Sequence, residues 1–288
     1  MFITVKLKKL FFSFCVCLFL FFASITMAAI CDSNDSSIDV PIIMYHSVKN
    51  DISDSAKYIV TPNQLESDLI YLAQNGYTTI TMTDLIDYVY NDKKLPEKPI
   101  ILTFDDGYFN NYYYAYPLMK KYNMKMVISV VGSYSDKFSE IDDSNPAYAY
   151  LTWNQIKELQ ASGYAEIQNH TYSMHSIDKT RNGCKQGKCE TDEEYEKNLT
   201  EDLKKLQNKI YEYTNYMPNT FTYPFGAISN TSKKIIKKIG FKASLSCEEG
   251  INKISKDKDC LFKLKRCIRT SEESTWEFFK KIFEYSKT

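Results

Sequence analysis

Short apolar runs alternate with amphipathic helical segments along most of this 288-residue chain. An apolar run bounded by turn residues predicts a buried strand, and apolar residues recurring every three or four positions predict a helix. A chain that alternates the two predicts a parallel sheet covered by helices. The predicted strands are VPIIMYHSV (40–48), YTTI (77–80), KPIILTF (98–104), MKMVISVVG (124–132), YAEIQNH (164–170), NTFTYPFG (219–226) and FKASLS (241–246).

The helical segments carry their own start and stop signals. In the first, Thr61 is a plausible N-cap, Pro62 takes the first helical position and Gly76 ends the helix. The other predicted helices are 81–91, 112–123, 151–163, a long helix with Leu199, Leu203, Leu206 and Ile210 on one face, 231–240 and 272–285. No repeat of 20 to 50 residues and no low-complexity linker interrupts the pattern, which predicts one domain over residues 38–288.

The positions of the polar residues favour a barrel over an open doubly wound sheet. The chain has no dinucleotide-binding fingerprint, and polar residues stand at the C-terminal ends of three of the predicted strands: His46, then Asp105 and Asp106, then His170. In barrels of parallel strands the reacting groups collect at the carboxyl ends of the strands. We therefore expect an α/β barrel of about seven parallel strands with a site at that end.

The N-terminus predicts export. Basic residues at positions 6, 8 and 9 precede a nearly uncharged apolar run over 10–25, and small residues follow up to Ala28. This pattern is typical of a secretory signal over residues 1–28, cleaved near Ala28. A lipoprotein signal at Cys31 is disfavoured by Ile30 before it, whereas an uncleaved anchor stays open. We expect a secreted or cell-surface protein that contacts the membrane only through this signal, if it is retained.

Charge and cysteine content narrow the class further. Lys and Arg together number 36, as do Asp and Glu, so nothing predicts a nucleic-acid partner. Of eight cysteines, Cys15 and Cys17 lie in the signal, and the remaining six are expected to form disulfides in an exported protein. CKQGKC (184–189) could close as a small loop, in a stretch that is either a solvated, disulfide-linked excursion or a substrate-facing loop. A zinc ribbon is disfavoured because no pair has C-x-x-C spacing.

Two adjacent carboxylates follow a predicted buried strand. Asp105 and Asp106 are followed by Gly107, which lets the chain turn sharply. Neighbouring side chains diverge, so one carboxylate can bind a metal while the other accepts a proton from water. The alternative reading is ordinary turn chemistry.

His170 and His175 stand five positions apart. In a helix, five steps of about 100° place the second ring far round the axis from the first, and in a strand an odd offset sends the two side chains to opposite faces. Only a turn can bring the two rings together, and a metal would then be their common partner. Otherwise they are two unrelated polar residues of a surface loop.

Taken together, these motifs carry a family resemblance. TFDDG, the H-T-x-x-x-H pair about sixty residues later and a strand ending in YPFG resemble the polysaccharide deacetylases of the NodB-homology, carbohydrate esterase type, over residues 38–270. The resemblance implies a distorted (β/α) barrel, one divalent metal held by Asp106, His170 and His175, and Asp105 as general base. Zinc is the first choice of metal, and cobalt, manganese and iron also suit these ligands.

Two departures from the family pattern concern other roles. Thr222 stands where the family has an Arg that steadies the catalytic Asp, and Arg266 stands where a His acid is expected. Arg266 is a poor proton donor but a good clamp for Asp105 or for developing charge. The N–H of Phe225 could stabilise the oxyanion, because that role needs no particular side chain. His46 is then the candidate general acid or substrate contact, the alternative being a structural histidine beneath the metal.

The expected function follows from this set. The early MYH and the wide histidine spacing resemble the branch that deacetylates poly-β-1,6-N-acetylglucosamine. We expect an exported, metal-dependent hydrolase that removes N-acetyl groups from an N-acetylglucosamine polysaccharide. Two alternatives stay open: a peptidoglycan or chitooligosaccharide deacetylase, and a catalytically silent glycan-binding barrel.

Overall fold

Seven parallel strands form the central sheet of this protein, seen in a computed structural model that describes residues 37–50 and 56–285. The predicted signal over residues 1–28 and Cys31 lie outside the described residues. From Ile38 onward the chain forms one compact unit. The strands are β1 (Ile38–Val40), β2 (Ile42–Tyr45), β3 (Ser47–Val48), β4 (Ile59–Val60), β5 (Thr78–Thr79), β6 (Pro99–Phe104), β7 (Met126–Val130), β8 (Ala165–Asn169), β9 (Thr220–Thr222), β10 (Ala243–Leu245), β11 (Asn252–Ile254) and β12 (Cys267–Ile268).

The central sheet runs in the order β10, β9, β8, β7, β6, β2, β12, with every neighbour parallel. β5 pairs in parallel with the start of β6, and β3 pairs with β4. β1 pairs antiparallel with β11. The first predicted strand is therefore divided among β1, β2 and β3, because Pro41 and His46 interrupt its pairing.

The sheet curls and closes through the short segment before β12. The N–H of Leu264 donates to the carbonyl of Ser244 at 2.8 Å, and the N–H of Ser246 donates to the carbonyl of Leu264 at 2.9 Å. On its other side the same segment continues into β12, which pairs with β2. Because only a few residues make this seam, the barrel is irregular there. The predicted distorted barrel of seven parallel strands is confirmed.

Eight helices surround the sheet in the described part of the chain: α1 (Pro62–Gln74), α2 (Met82–Asn91), α3 (Tyr116–Tyr122), α4 (Gly132–Ile141), α5 (Trp153–Ala161), α6 (Asp192–Thr214), α7 (Ser232–Lys238) and α8 (Thr275–Tyr285). α1 begins as predicted, with Thr61 accepting from the N–H of Gln64 in a capping box. A π-helical turn, Asn111–Ala115, precedes α3. α4 was not predicted from the sequence, although Tyr134, Phe138 and Ile141 follow helical spacing.

The core follows the strands, with one polar region inside the barrel. Residues of β2, β6, β7 and β8 are fully buried and pack against the apolar faces of the helices. Inside the barrel, however, the buried hydroxyls of Ser129 and Thr222 lie 2.7 Å apart, and the hydroxyl of Thr103 donates to the carbonyl of Ile43. The barrel interior thus offers hydrogen-bonding groups to residues that enter it.

The structure bears on two further questions, the presence of disulfides and of helices that could span a membrane. Cys184, Cys189, Cys247 and Cys267 form no disulfide, so CKQGKC is not closed by a bridge. Cys184 is buried beneath Ala227 while Cys189 is exposed, and the loop is instead held by the ion pair of Arg181 with Glu190 at 2.5 Å. Across residues 37–50 and 56–285, no helix has the length and apolarity to cross a membrane.

Candidate active site

The predicted polar residues meet at the carboxyl ends of the parallel strands. His46 directly follows β2, Asp105 directly follows β6 and His170 directly follows β8. Because β2, β6, β7 and β8 are neighbours in the sheet, their ends lie side by side. The barrel therefore brings together residues that are more than a hundred positions apart in sequence.

The turn after β6 separates the two carboxylates. Asp106 and Gly107 both adopt positive φ, 70° and 69°, so the chain reverses immediately after the strand. A Cβ at position 107 would stand 3.0 Å from Cγ1 of Val130, so the site favours glycine for space as well as for φ. As a result the Asp105 side chain enters the barrel, where it contacts Arg266, while the Asp106 side chain faces the histidines.

Asp106, His170 and His175 form a compact set of candidate metal ligands. Oδ1 of Asp106 lies 3.0 Å from Nε2 of His175 and 3.4 Å from Nε2 of His170. One ligand atom from each residue lies within 4.8 Å of the others, close to the roughly 4 Å that two bonds of about 2 Å to a single ion can span. Two imidazoles and one carboxylate suit a divalent transition metal and leave positions for water and substrate.

His170 is oriented by the barrel itself. Its Nδ1 lies 2.8 Å from the carbonyl oxygen of Thr222, which can only accept, so Nδ1 carries the proton. In the neutral imidazole Nε2 then keeps its lone pair, and it faces Asp106. A ligating histidine whose other nitrogen donates to a carbonyl is the usual arrangement around protein-bound metals. The donor chemistry of His170 therefore fits a metal.

The turn between the two histidines is tightly held. Thr171 adopts a φ of 74°, and its N–H donates to the side-chain oxygen of Asn169 at 2.9 Å. The carbonyls of Thr171 and Tyr172 accept from the N–H groups of Gly132 and Ser133 at the start of α4. The interval of five thus contains a sharp reversal, which turns both rings towards Asp106 as neither a helix nor a strand could.

Asp105 is paired with Arg266 inside the barrel. Nη1 of Arg266 lies 2.7 Å from Oδ1 of Asp105 and Nη2 lies 2.8 Å from Oδ2, and both side chains are almost fully buried. Nε of Arg266 donates to the carbonyl of Ser246. Burial raises the pKa of Asp105, but the Arg266 guanidinium lowers it more, and the net pKa lies below the ordinary value. Asp105 is therefore ionised and able to accept a proton.

His46 lies on the other side of Asp105. Its Nε2 is 4.0 Å from Oδ2 of Asp105, and its buried Nδ1 has no hydrogen-bond partner among the described residues. The ring of Tyr58 meets the imidazole edge-on, with centroids 5.0 Å apart. Burial lowers the pKa of His46, against the opposing effect of Asp105 and Asp106. The structure thus places His46 beside Asp105.

Phe225 flanks the ligand set. Its φ is 57°, and its ring lies 4.6 Å from that of His175 while remaining 46% exposed. The loop after His175 supports it, since a Cβ at Gly183 would stand 3.0 Å from the carbonyl oxygen of Pro224 and 3.1 Å from Cδ2 of Phe225. This loop therefore packs on the turn that carries the predicted oxyanion N–H. The oxyanion role itself stays a prediction.

Three tyrosines near the site were not identified from the sequence. The ring of Tyr150 lies 4.9 Å from that of Tyr108 and 4.5 Å from that of Tyr134, and the Tyr134 hydroxyl donates to the carbonyl of His175 at 3.1 Å. Burial and the nearby Asp106 raise the pKa of Tyr108. The position of Tyr108 directly after Asp-Asp-Gly was the available signal, whereas nothing local in the sequence marks Tyr134 or Tyr150.

Known proteins are similar to this chain in sequence. The N-deacetylase of poly-β-1,6-N-acetyl-D-glucosamine from Escherichia coli K12 is 25% identical over 258 residues, which are 83% of this chain and 38% of that protein. The protein of the same name from Staphylococcus aureus MRSA252 is 25% identical over 194 residues, 67% of this chain and 62% of that one. This chain thus spans less than two thirds of the length of either relative.

A solved structure shares the fold over most of both chains. The de-N-acetylase from Aggregatibacter actinomycetemcomitans superposes with a TM-score of 0.73 at 25% identity, over 85% of this chain and 99% of that one. A sequence model described as Polysaccharide deacetylase matches residues 92–244, a span that contains Asp105, Asp106, both clustered histidines and Phe225. With the same residues gathered at the strand ends of the barrel, this chain belongs to the polysaccharide deacetylase family.

Proposed function

We propose that this protein is a metal-dependent N-deacetylase that hydrolyses the acetamido groups of a polymer of N-acetylglucosamine. The observation that carries the proposal is the convergence of Asp106, His170 and His175 within 4.8 Å, next to an Asp105 held by Arg266. The names of the E. coli and S. aureus relatives support poly-β-1,6-N-acetylglucosamine as the first substrate to test.

The ligand set supports a divalent cation as cofactor, with zinc as the first choice. A metal bound by Asp106, His170 and His175 would supply Lewis-acid polarisation of the acetyl carbonyl and lower the pKa of water. The chain supplies the remaining groups. Asp105 accepts a proton from the attacking water, and Arg266 keeps that carboxylate ionised and fixed in orientation. The N–H of Phe225 is the candidate donor to the oxyanion.

Hydrolysis also requires a proton for the leaving amine. Water adds across the amide C–N bond, so the products are acetate and a free amine on the sugar. His46 is the remaining histidine and lies 4.0 Å from Asp105. Because burial lowers the pKa of His46, the imidazole is neutral at rest and can act as acid only after it has gained a proton during the reaction. We assign it this role, or a hydrogen bond to the substrate, as part of the proposal.

The pairing in the barrel argues against a silent glycan-binding barrel. That alternative rested on the missing arginine at Thr222 and on the missing histidine acid. Arg266 reaches Asp105 from the strand seam instead, and Thr222 contributes its carbonyl to His170. A binding module has no use for a buried carboxylate fixed by an arginine beside three convergent ligands, because such groups are costly to bury.

One experiment tests the function and the polymer together. The purified protein is loaded with zinc and incubated with poly-β-1,6-N-acetylglucosamine, chitin oligomers and peptidoglycan, and released acetate is measured against an Asp105→Asn control. We expect acetate from the first polymer and none from the control. Acetate from chitin oligomers or peptidoglycan alone would assign the substrate differently. No release from any of the three, with metal bound, would reject the deacetylase.

We also propose that the protein is exported, on the evidence of the basic N-terminus followed by the apolar run over 10–25. N-terminal sequencing of protein recovered outside the cytoplasm of an expressing bacterium should give a chain that starts just after Ala28. An intact N-terminus on cell-associated protein would instead identify an anchor. Protein found only in the cytoplasm would contradict export.

A further inference from the structure

Asp202 is a carboxylate on the buried face of a helix. It lies in α6 between Leu199 and Leu203, both fully buried, and is itself only 8% exposed. Burial raises its pKa, which records the cost of keeping a charge there. A carboxylate in such a position must be compensated by hydrogen bonds, and a leucine would otherwise suit the position better.

The compensating donors all come from the turn between His170 and His175. The N–H of Tyr172 donates to Oδ1 of Asp202 at 2.7 Å, and the N–H of Ser173 donates to Oδ2 at 2.8 Å. The hydroxyl of Ser173 adds a third bond, to Oδ2, at 2.9 Å. The two carboxylate oxygens thus accept from two consecutive backbone N–H groups of the turn.

These bonds add to others that hold the backbone of the turn. The carbonyls of Thr171 and Tyr172 accept from the first N–H groups of α4, and the N–H of Thr171 donates to Asn169. The N–H groups of Tyr172 and Ser173 have Asp202 as their acceptor, so two consecutive residues in the middle of the turn are tied to α6. Loss of the carboxylate would release both bonds and let the middle of the turn move away from α6.

We infer that Asp202 is a positioning residue for the metal centre: it fixes the turn that aims His170 and His175 at one ion. It touches neither metal ligand and takes no part in the chemistry. The inference rests on the proposed function, because it assumes that these histidines bind a metal. The five-residue interval between the histidines therefore depends on α6, because Asp202 of that helix holds the middle of the turn in place.

The test is the metal affinity of Asp202→Asn. Asparagine has the same shape, but its NH2 group would face one of the two N–H groups, so one bond becomes a repulsive contact. Metal affinity is measured by competition with a chromogenic chelator, using zinc and cobalt. Loss of a residue that orients metal ligands costs about 10- to 100-fold in affinity, and we expect a loss in this range. The absorption spectrum of bound cobalt should change as well.

Asp136→Asn is the matched control. Asp136 contacts the same turn through the ring hydroxyl of Tyr172 at 2.6 Å, and it also accepts from Trp153 and Lys209. It therefore stabilises the fold around the turn without holding the backbone of the turn. We expect this variant to lose thermal stability and keep its metal affinity. Wild-type affinity in Asp202→Asn, or an equal loss in both variants, would overturn the inference.

A measurement on the wild-type protein covers the case in which Asp202→Asn does not fold. Hydrogen exchange of the metal-free protein should already find the Tyr172 and Ser173 amides protected, because Asp202 holds them in advance. Rapid exchange that slows only when metal is added would overturn the inference. A wild-type protein that binds no metal rejects the metal centre itself and this inference with it, whereas normal metal binding by Asp202→Asn rejects the inference alone.

Discussion

The guanidinium of Arg266 meets the carboxylate of Asp105 as a two-pronged pair, with contacts of 2.7 and 2.8 Å, although the residues are 161 positions apart in sequence. A second pair of the same kind joins Arg269 to Asp68, at 2.8 and 3.1 Å. Both arginine side chains are fully buried. Only the first pair includes a carboxylate next to the candidate metal ligands, so the two pairs allow catalysis and stability to be separated.

Arg266→Lys should lower kcat strongly. A lysine ammonium cannot form two parallel bonds to one carboxylate, so Asp105 would shift from the position it needs to accept a proton. Misplacement of a reacting group by about 1 Å can cost about 100-fold in rate, and we expect a loss of this order in acetate release. Metal content should be unchanged.

Arg269→Lys is the control for that change. It breaks a buried pair of similar geometry and should lower the unfolding temperature by a similar amount. Its folded fraction should keep a kcat near the wild-type value, because Asp68 has no role in the chemistry. Equal loss of kcat in both variants would mean that Arg266 acts only through stability.

Metal removal should abolish the activity of the protein and lower its stability. Dialysis against a chelator should abolish acetate release, and zinc should restore it. Free metal at 100 times its dissociation constant stabilises the folded state by about 2.7 kcal/mol, so the unfolding temperature should fall when the metal is removed. Asp106→Asn should bind metal weakly, because Asp106 contacts both histidines at 3.0 and 3.4 Å.

Asp105→Asn should behave in the opposite way. It removes the proton acceptor and leaves the three ligands in place, so the variant should hold metal and release no acetate. Atomic absorption on both purified variants provides the comparison. Full metal content in Asp106→Asn would remove Asp106 from the ligand set.

His46→Gln tests the proton donor. Glutamine can still form a hydrogen bond but does not titrate, so kcat should fall by about 100-fold or more if His46 transfers a proton. Because His46 must start as the neutral imidazole, its titration contributes to the acid limb of the pH–rate profile, and that limb should change in His46→Gln. Tyr58→Leu removes the ring that contacts His46 and leaves the imidazole, so it should retain that limb. An unchanged limb and turnover in His46→Gln would leave His46 without a part in catalysis.

Much of this site follows from local sequence, because it is built where strands end. The strand KPIILTF predicts β6, so the position of Asp105 and Asp106 at the rim follows from periodicity alone. The histidine turn was predicted by elimination, since an interval of five suits neither regular element. The contact of Asp202 with that turn was not predicted. The available signal was the acidic side chain of Asp202 on the apolar face of α6.

The contact between Arg266 and Asp105 depends on how the barrel closes. β12 has two residues, too few for any periodic signal, yet its seam carries Arg266 to Asp105. The sequence identified Arg266 as a candidate clamp through family resemblance, and only the folded chain supplies the contact. Gly132, at the start of α4, is required by close packing against Tyr172, where an added Cβ would stand 2.6 Å from Cδ2, and this constraint leaves no local pattern.

Phe225→Gly should distinguish the backbone of Phe225 from its ring. Glycine accepts the φ of 57° without strain and keeps the N–H, so kcat should be largely retained. The exposed ring beside His175 is lost, and with it a surface that can pack against a sugar. We expect KM for long oligomers to rise more than KM for a monosaccharide substrate. A fall in kcat with KM unchanged would assign the ring itself to the chemistry.

Asp84 should contribute to stability in mild acid. It is the third residue of α2, where it accepts from the N–H of Thr81 and contacts Lys93 at 2.8 Å and Lys125 at 3.3 Å. Burial raises its pKa, but the Lys93 and Thr81 hydrogen bonds lower it more, and the pKa is about 2 instead of 3.8. A depressed carboxyl pKa adds stability that is fully present above the ordinary pKa, so this contribution should be lost as the pH falls from about 4 to about 2.

Asp84→Asn removes the charge and keeps an oxygen for Thr81, so the helix cap survives. We expect the free energy of unfolding above pH 4 to fall by about 1 kcal/mol, less than the full pKa shift implies because both lysines are half exposed and screened. The difference between variant and wild type should shrink as the pH approaches 2. Raising the salt concentration from 0.1 M to 0.5 M shortens the Debye length and should reduce the difference further. Denaturant unfolding at constant ionic strength measures it. A difference that stays constant from pH 6 to pH 2 would mean that the asparagine disturbs the cap and that the charge of Asp84 contributes nothing.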